Sequence, residues 1–335
     1  MNILPRALAV LLLPALTLTA CGQVQAKAAF KDANKNYREE NFKQAIPGYE
    51  KAVSINPNFA EAWFYLGSSH QALYRPGKDD PENKKRLEDA INAYRKSLEV
   101  NPAQTPNQKT VKQNTLAALT SIYSDDPFKN YDEAIKYANQ LVQENPSDTR
   151  NLFAMANLYE KFEKVDEAER TYKQVYDANP NDPKACGALG AFYNKPLWKD
   201  EQGAARSRFN DAIQVLEKCA AINPNDAGGW QKVATFYWDK AYRDPLLTDE
   251  EKNQYADRGM AAVDKALELK PDYFEAVIYK GLLYRVKAAA TPDARAKQEY
   301  LDKAVALSKQ GQELRKQAEQ AAAAAAAAAT PAPES

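Results

Sequence analysis

The chain has 335 residues, 44% of them hydrophobic and 27% charged, so it is long enough to bury a substantial core. Its 45 basic and 45 acidic residues cancel, and no basic segment of the sequence predicts a nucleic-acid surface. A single histidine, His70, and only 12 glycines argue against His-rich metal sites and glycine-rich phosphate loops. Composition therefore favours a helical interaction protein, with no cofactor, no metal and no catalytic residue, over an enzyme.

Residues 1–20 have the composition of a secretory signal peptide. Arg6 precedes an apolar stretch from Ala7 to Leu18, which is too short to span a bilayer. The tetrapeptide that ends at Cys21 (Leu-Thr-Ala-Cys) resembles the bacterial lipobox, in which the cysteine becomes the acylated first residue. The resemblance implies a lipid anchor at Cys21 and a short linker over 21–28. Because Gly22 and not aspartate follows, it also implies the periplasmic face of the outer membrane. Ordinary secretory cleavage, with Cys21 unmodified, is the alternative.

Six prolines recur at regular intervals along the rest of the chain: Pro57, Pro102, Pro146, Pro180, Pro224 and Pro271. Each of the first five follows an asparagine. The residue before a proline is disfavoured in the α region, so each of these prolines marks the end of a helix. Upstream of each proline, small and large side chains recur at fixed steps, as in Ala45, Tyr49 and Ala52. A second pattern follows each proline except Pro102, as in Trp63-x2-Leu66-Gly67. The repetition predicts pairs of helices that pack on one another.

These two patterns resemble the tetratricopeptide repeat. The resemblance implies an all-α solenoid of helix pairs in a right-handed superhelix, with a small residue on each helix where the two cross. It covers residues 29–316 in about seven units: 29–58, 60–103, 109–148, 149–182, 183–226, 227–273 and 274–316. Residues 317–335 form an Ala-rich tail, predicted as a terminal helix that frays.

The spacing of the prolines departs from the 34 residues of the family in all but one unit. Several of the inserts carry residues that cap helices, namely Asp80-Pro81, Thr248 with Glu251, and Thr291-Pro292. The sequence therefore predicts lengthened second helices in the second, fifth, sixth and seventh units. In the third unit most of the excess precedes the first helix, at 103–110.

Few side chains outside the repeat pattern suggest chemistry. Cys186 and Cys219 occupy packed repeat positions, which leaves two alternatives open: a pair of buried free thiols, or a disulfide within the fifth unit. His70 stands where five other units have tyrosine, so we expect it to pack in the core. Paired acids such as Asp79-Asp80 and Asp249-Glu250-Glu251 are typical of solvated helix starts.

The remaining signal is the concave face that the family's first helices form. The positions that point into this groove predict a surface for a protein or peptide partner, because aromatic and amide side chains suit an extended peptide. They are Tyr37, Phe64, Phe153, Asn157, Lys184, Asn194, Gln231, Trp238 and Arg285. The sequence thus favours a membrane-anchored, non-catalytic scaffold of the bacterial cell envelope. A lipoprotein that binds a glycan or small ligand, with Trp198, Trp230 and Trp238 as stacking platforms, is the alternative.

Overall fold

The computed structural model of the chain describes residues 13–199, 203 and 205–329, with side chains from residue 22 to residue 325 within those ranges. Two compact units divide the chain, residues 1–164 (unit 1) and residues 165–335 (unit 2). Within each unit the described elements are helices joined by short loops, apart from one small hairpin in unit 2. The prediction of an all-α array of helix pairs is confirmed.

Unit 1 contains seven helices among its described residues, and each packs on the next. Their bounds are α1 Leu13–Arg38, α2 Phe42–Ile55, α3 Ala60–Leu73, α4 Pro81–Val100, α5 Pro106–Ser124, α6 Tyr131–Glu144 and α7 Thr149–Lys161. One cluster of buried side chains joins α1 to α4, and a second joins α4 to α7. The first helices of the repeats in this unit are α1, α3, α5 and α7.

Unit 2 continues the pattern with seven further helices and the hairpin. Their bounds are α8 Val165–Ala178, α9 Pro183–Tyr193, β1 Trp198–Lys199, β2 Ala205–Arg206, α10 Phe209–Ile222, α11 Ala227–Arg243, α12 Asp249–Leu269, α13 Phe274–Ala289 and α14 Ala294–Ala329. The first helices here are α9, α11 and α13. A cluster centred on Val233, Val263 and Leu283 holds α10 to α13 together.

Small residues allow the paired helices to approach closely, as the repeat pattern predicts. A Cβ added at Gly67 of α3 would lie 2.8 Å from the ring of Tyr94 on α4. The same substitution at Gly190 of α9 would place the Cβ 2.9 Å from Leu216 on α10. These distances are shorter than van der Waals contact, so the glycines are required by packing at the helix crossings.

Three of the predicted lengthened second helices are present. In the second repeat α4 has 20 residues and begins at Pro81, with Asp80 accepting a hydrogen bond from the Asn83 backbone amide at 2.8 Å. In the sixth repeat α12 has 21 residues, and Thr248 with Glu251 forms a capping box at its start. In the seventh repeat α14 has 36 residues.

The prediction of a lengthened second helix in the fifth repeat is wrong. Its second helix, α10, has only 14 residues, and the insert before it forms the antiparallel hairpin β1–β2. Trp198 of β1 packs on Phe192 at 5.3 Å between ring centroids, and the Arg208 guanidinium lies 5.3 Å from the Trp198 ring. These contacts hold the insert against α9, so the hairpin replaces the extra helical turns that we expected.

Two further boundaries differ from the sequence prediction. Much of the 103–110 segment is part of the first helix of the third repeat, because α5 begins at Pro106 with a capping box between Thr105 and Gln108. At the start of α14 the cap is Asp293 and not Thr291, since Asp293 accepts from the Ala296 amide at 2.8 Å. The Thr291 hydroxyl instead donates to the Lys287 carbonyl at the end of α13.

The two ends of the chain are helical as far as they are described. The backbone of α1 runs without a break from Leu13 through Cys21 to Arg38, so the segment 21–28 is helical and not an extended linker. Residues 1–12 of the predicted signal peptide and the side chain of Cys21 lie outside what the structure describes. Among the described residues, no helix is long and apolar enough to cross a membrane. At the other end α14 reaches Ala329 and is exposed over 315–325, and residues 330–335 are not described.

Candidate functional site

Two of the predicted groove residues of unit 1 take part in packing between helices. The Tyr37 hydroxyl shares a 2.7 Å hydrogen bond with that of Ser68, and its ring lies 5.0 Å from that of Tyr65. Phe64 is half-buried, with its ring 5.8 Å from that of Tyr94. Tyr37 therefore joins the first helix pair to the second, and Phe64 packs between the two helices of the second pair. Phe153, on α7, is also half-buried.

A cavity of about 310 Å³ lies between α5 and α7, the first helices of the third and fourth repeats. We call it trough A. Small side chains from α5 and α7 form its walls, the apolar side chains beneath them form its floor, and amides with one lysine stand at its edges. The lining residues are Ala117, Thr120, Ser121, Ser124, Ala138, Leu141, Asn151, Ala154, Met155, Asn157, Leu158 and Lys161. The predicted groove residue Asn157 is exposed and belongs to this set.

A second cavity of about 330 Å³ lies in unit 2, along α9 and the start of α11. We call it trough B. Its lining includes Gly187, the predicted groove residue Gln231, and the cysteine pair Cys186 and Cys219. A Cβ at Gly187 would lie 2.5 Å from the Lys232 ammonium, so the missing side chain makes room for that lysine. The Gln231 amide donates to the Thr235 hydroxyl at 2.9 Å. Trough B thus has a glycine beside a cation and an amide.

The two cysteines of trough B form a disulfide. Cys186 on α9 and Cys219 on α10 are bonded, with their Cα atoms 6.2 Å apart and side chains that are only 2% and 7% exposed. The structure therefore has the disulfide alternative and not the pair of free thiols. The bond fixes the two helices of the fifth repeat to one another beside trough B.

An aromatic group lies farther along α11. Trp238 is half-buried, stacks on Tyr242 at 5.2 Å between centroids, and meets the edge of Tyr279 at 5.4 Å. Tyr242 is 67% exposed and was missed by the sequence reasoning. Because residues four apart share a helix face, its position after Trp238 was the signal that identifies it. Beside these rings the Asn194 amide donates to Asp239 at 3.5 Å.

The other two predicted groove residues of unit 2 are solvent-exposed. Lys184 lies in the first turn of α9, where its amide donates to the Asp182 cap at 2.9 Å. Arg285 lies on α13.

Two of the three tryptophans proposed as glycan platforms are occupied by packing contacts. The Trp230 indole donates to the Pro224 carbonyl at 3.1 Å, and the Lys265 ammonium lies 4.0 Å from its ring centroid. Trp198 packs in the hairpin contact described above. Of the proposed platforms only Trp238 lies beside an exposed ring, so the structure does not assemble the three into one stacking surface.

Acidic pairs have structural roles where they start helices. Asp80 and the Asp249 to Glu251 run cap or begin α4 and α12, as expected. Within the described residues no group of three or more histidine, cysteine, aspartate or glutamate side chains is arranged to hold a metal ion.

His70 lies among ionisable groups on neighbouring helices but has a buried Nδ1 that lacks a hydrogen-bond partner within the described residues. Burial lowers its pKa below the usual 6.5, although the carboxylates of Asp89 and Glu50 oppose the shift. The equivalent Tyr123, Tyr193 and Tyr237 are buried in the core. For Tyr237, burial and the 2.6 Å hydrogen bond to Glu217 raise the pKa to about 12. His70 is thus a core substitute for tyrosine.

The lowered pKa of His70 predicts a pH-dependent stability. Because the unfolded chain binds the proton more readily than the folded one, His70 destabilises the fold as pH falls below 6.5. We expect the melting temperature of wild type to drop more between pH 7 and about pH 5 than that of His70→Gln, whose side chain stays neutral. Parallel melting curves over this range test the prediction, and an equal drop in both proteins would show that His70 does not contribute.

Comparison with known proteins gives matches to one repeat family. Models of the tetratricopeptide repeat match residues 128–192 and 82–104. Similar solved structures include a tetratricopeptide repeat protein from Parabacteroides merdae ATCC 43184, with 13% identity, a TM-score of 0.44, and coverage of 84% of this chain and 99% of that chain. A Pseudomonas aeruginosa pilF structure has 16% identity, a TM-score of 0.41, and coverage of 76% and 96%. YrrB, described as a TPR protein with an unusual peptide-binding site, has 17% identity, a TM-score of 0.37, and coverage of 61% and 89%.

No curated protein matches the sequence. The two matched segments include helices of both units, and the pairing of helices around small residues at their crossings is the architecture of the repeat. The chain contains tetratricopeptide repeats, matched at residues 82–104 and 128–192.

Proposed function

We propose that this chain is a lipid-anchored, non-catalytic scaffold of the bacterial cell envelope that binds an extended peptide segment of a protein partner on its first helices. The repeats themselves make it a protein–protein interaction scaffold. The observation that carries the peptide assignment is trough A, which lies between consecutive first helices.

The chemistry of trough A suits a peptide backbone with small apolar side chains. Ala117 and Ala154 leave the space between α5 and α7 open, while Met155 and Leu158 provide an apolar floor. Asn157 stands exposed at the edge, where an amide both donates to and accepts from a peptide unit. An extended segment satisfies such an edge with its main chain and fills the floor with its side chains.

Trough B supports the same assignment in unit 2 by a different composition. Gly187 and Gly228 line the trough without side chains that would fill it, and Gln231 lies beside them. The Lys232 ammonium and the Asp226 carboxylate both line the trough, so it offers a partner's side chains charge of either sign.

The membrane anchor is proposed from the N-terminal sequence. The apolar stretch from Ala7 to Leu18 and the lipobox-like tetrapeptide ending at Cys21 support acylation of Cys21, and Gly22 supports the periplasmic face of the outer membrane. Several acyl chains hold a protein firmly on a membrane, whereas one chain does not. Intact mass of the chain purified from envelopes tests the anchor, and a mature N-terminus without added lipid would contradict it.

Filling trough A tests the peptide assignment. Ala154 is exposed, so Ala154→Trp is expected to block the trough without disturbing the core. We expect the protein that co-purifies with wild type from detergent-solubilised envelopes to be retained about tenfold less by this variant.

The matched control is Asn139→Trp, which adds the same side chain at an exposed position of the second helix α6. Both variants are expected to melt like wild type. Equal retention of the partner by Ala154→Trp and Asn139→Trp would place the binding surface elsewhere.

A further inference from the structure

The outer face of α1 carries a row of basic side chains that the sequence reasoning overlooked. Lys27, Lys31, Lys35 and Arg38 are separated by four, four and three residues. At 100° per residue they fall within about 80° of one another around the helix axis. The row escaped notice because alanines, asparagines and Asp32 separate the cations along the sequence. In the structure these four residues form one face, which we call the α1 basic row.

The basic row points away from the packed side of the helix. Ala26, Ala29 and Ala33 lie on the opposite side of α1 and are 0%, 8% and 1% exposed. The four basic side chains are exposed. The row is therefore a solvent-facing surface about 17 Å long, at 1.5 Å per residue from Lys27 to Arg38.

Three acidic residues, Asp32, Glu39 and Glu40, lie near the row in the sequence. None of its four cations forms an ion pair within the described residues. Asp32 is the one acid among the described residues of α1, and it lies about 100° from the centre of the row. Glu39 and Glu40 follow the helix directly. The row thus presents four positive charges on a chain whose total charge is zero.

The same face extends toward the proposed acylation site. Val24 lies in line with the row, one turn before Lys27, and is 68% exposed. Cys21 precedes Val24 by one further turn on the same unbroken helix, about 80° around the axis from the centre of the row. The helix is packed from this point onward, since a Cβ at Gly22 would lie 3.8 Å from Ile55. A lipid on Cys21 would therefore be attached to folded structure and not to a tether.

We propose that the outer face of α1 lies on an anionic membrane surface, with the basic row over lipid phosphates and Val24 at the apolar boundary. The proposal builds on the proposed lipid anchor, which places the start of α1 at the membrane. Lysines attract an anionic bilayer within a Debye length of its surface, and an acyl chain combined with basic residues binds more strongly than either does alone. A membrane surface is favoured as the partner because the row and the exposed Val24 continue from the acylation site.

The test measures sedimentation of the full chain with vesicles of two compositions, phosphatidylethanolamine with phosphatidylglycerol at about 3:1, or phosphatidylcholine alone. The variant is Lys27→Gln, Lys31→Gln and Lys35→Gln combined, which keeps strong helix formers at exposed positions. Its matched control is Lys297→Gln, Lys309→Gln and Lys316→Gln on α14, which removes the same charge from exposed positions far along the chain. Both are also made in a Cys21→Ala chain that has no site for acylation.

In the Cys21→Ala chain, where acyl chains do not dominate the binding, we expect the triple variant of α1 to bind anionic vesicles about tenfold or more weakly at ~0.1 M salt, and the α14 control to stay within about twofold of the chain without lysine substitutions. Binding to phosphatidylcholine should not change. If the Cys21→Ala chain shows no preference for anionic vesicles, or if the α14 control loses as much binding, the inference is wrong while the anchor stands. If intact mass shows no lipid on wild type but the α1 variant still loses binding to anionic vesicles, the anchor is wrong and the inference stands.

Discussion

Replacing both Cys186 and Cys219 with alanine is expected to lower the free energy of unfolding by about 3–4 kcal/mol. The bond closes a segment with a sequence separation of 33 residues, and the entropy that it removes from the unfolded chain rises slowly with that length. Because both side chains are buried, the variant also leaves a small cavity between α9 and α10. For a folded unit of the size of unit 2, this loss corresponds to a fall of about 10 °C in melting temperature.

Melting in the presence and absence of a reducing agent provides the control. The reductant should destabilise wild type by about as much as the double substitution does, and should have no effect on the double variant. A wild-type melting temperature that is insensitive to reductant, together with two titratable thiols in the unfolded protein, would show that the cysteines are unpaired.

Trp238→Ala is expected to cost about 2 kcal/mol of stability, less than the 3–5 kcal/mol for a fully buried tryptophan because the side chain is half-buried. Its ring packs on the cluster of α10 to α13 and meets the edge of Tyr279. Tyr242→Ala removes a ring that is 67% exposed and should cost less than about 0.5 kcal/mol. Thermal denaturation of the two variants measures both effects.

The same pair separates packing from partner binding on α11. An exposed tyrosine held by a stacked tryptophan is typical of an interface anchor, so Tyr242→Ala is expected to weaken partner retention about tenfold with little change in melting. Trp238→Ala should lower both. If Tyr242→Ala melts as early as Trp238→Ala and still retains the partner, these rings serve only to pack unit 2.

The helix boundaries were the most predictable part of the fold, because they follow a local steric rule. Five second helices end one residue before the Asn-Pro that was expected to stop them, as α2 does at Ile55 and α4 at Val100. The caps at Asp80 and Thr248 were predictable for the same reason, since each lies within three residues of the amide that it binds.

Features that depend on distant contacts were not predictable from the repeat pattern. The length of the fifth insert did not distinguish helix from hairpin, and the contact between Trp198 and Arg208 that holds the hairpin joins residues ten positions apart. The family's groove positions also included Tyr37 and Phe64, which pack between helices. The troughs owe their space to residues such as Ala154 and Gly187, whose role appears only when two first helices lie side by side.

The central claim, that the first helices hold the partner, is tested most directly by crosslinking from single positions in living cells. A photoreactive amino acid is placed at position 154 on the first helix α7 or at position 139 on the second helix α6, both exposed. We predict a crosslinked adduct of the chain with a protein from position 154 and a much weaker one from position 139. Adducts of equal strength from the two positions, or an adduct from position 139 alone, would contradict the account.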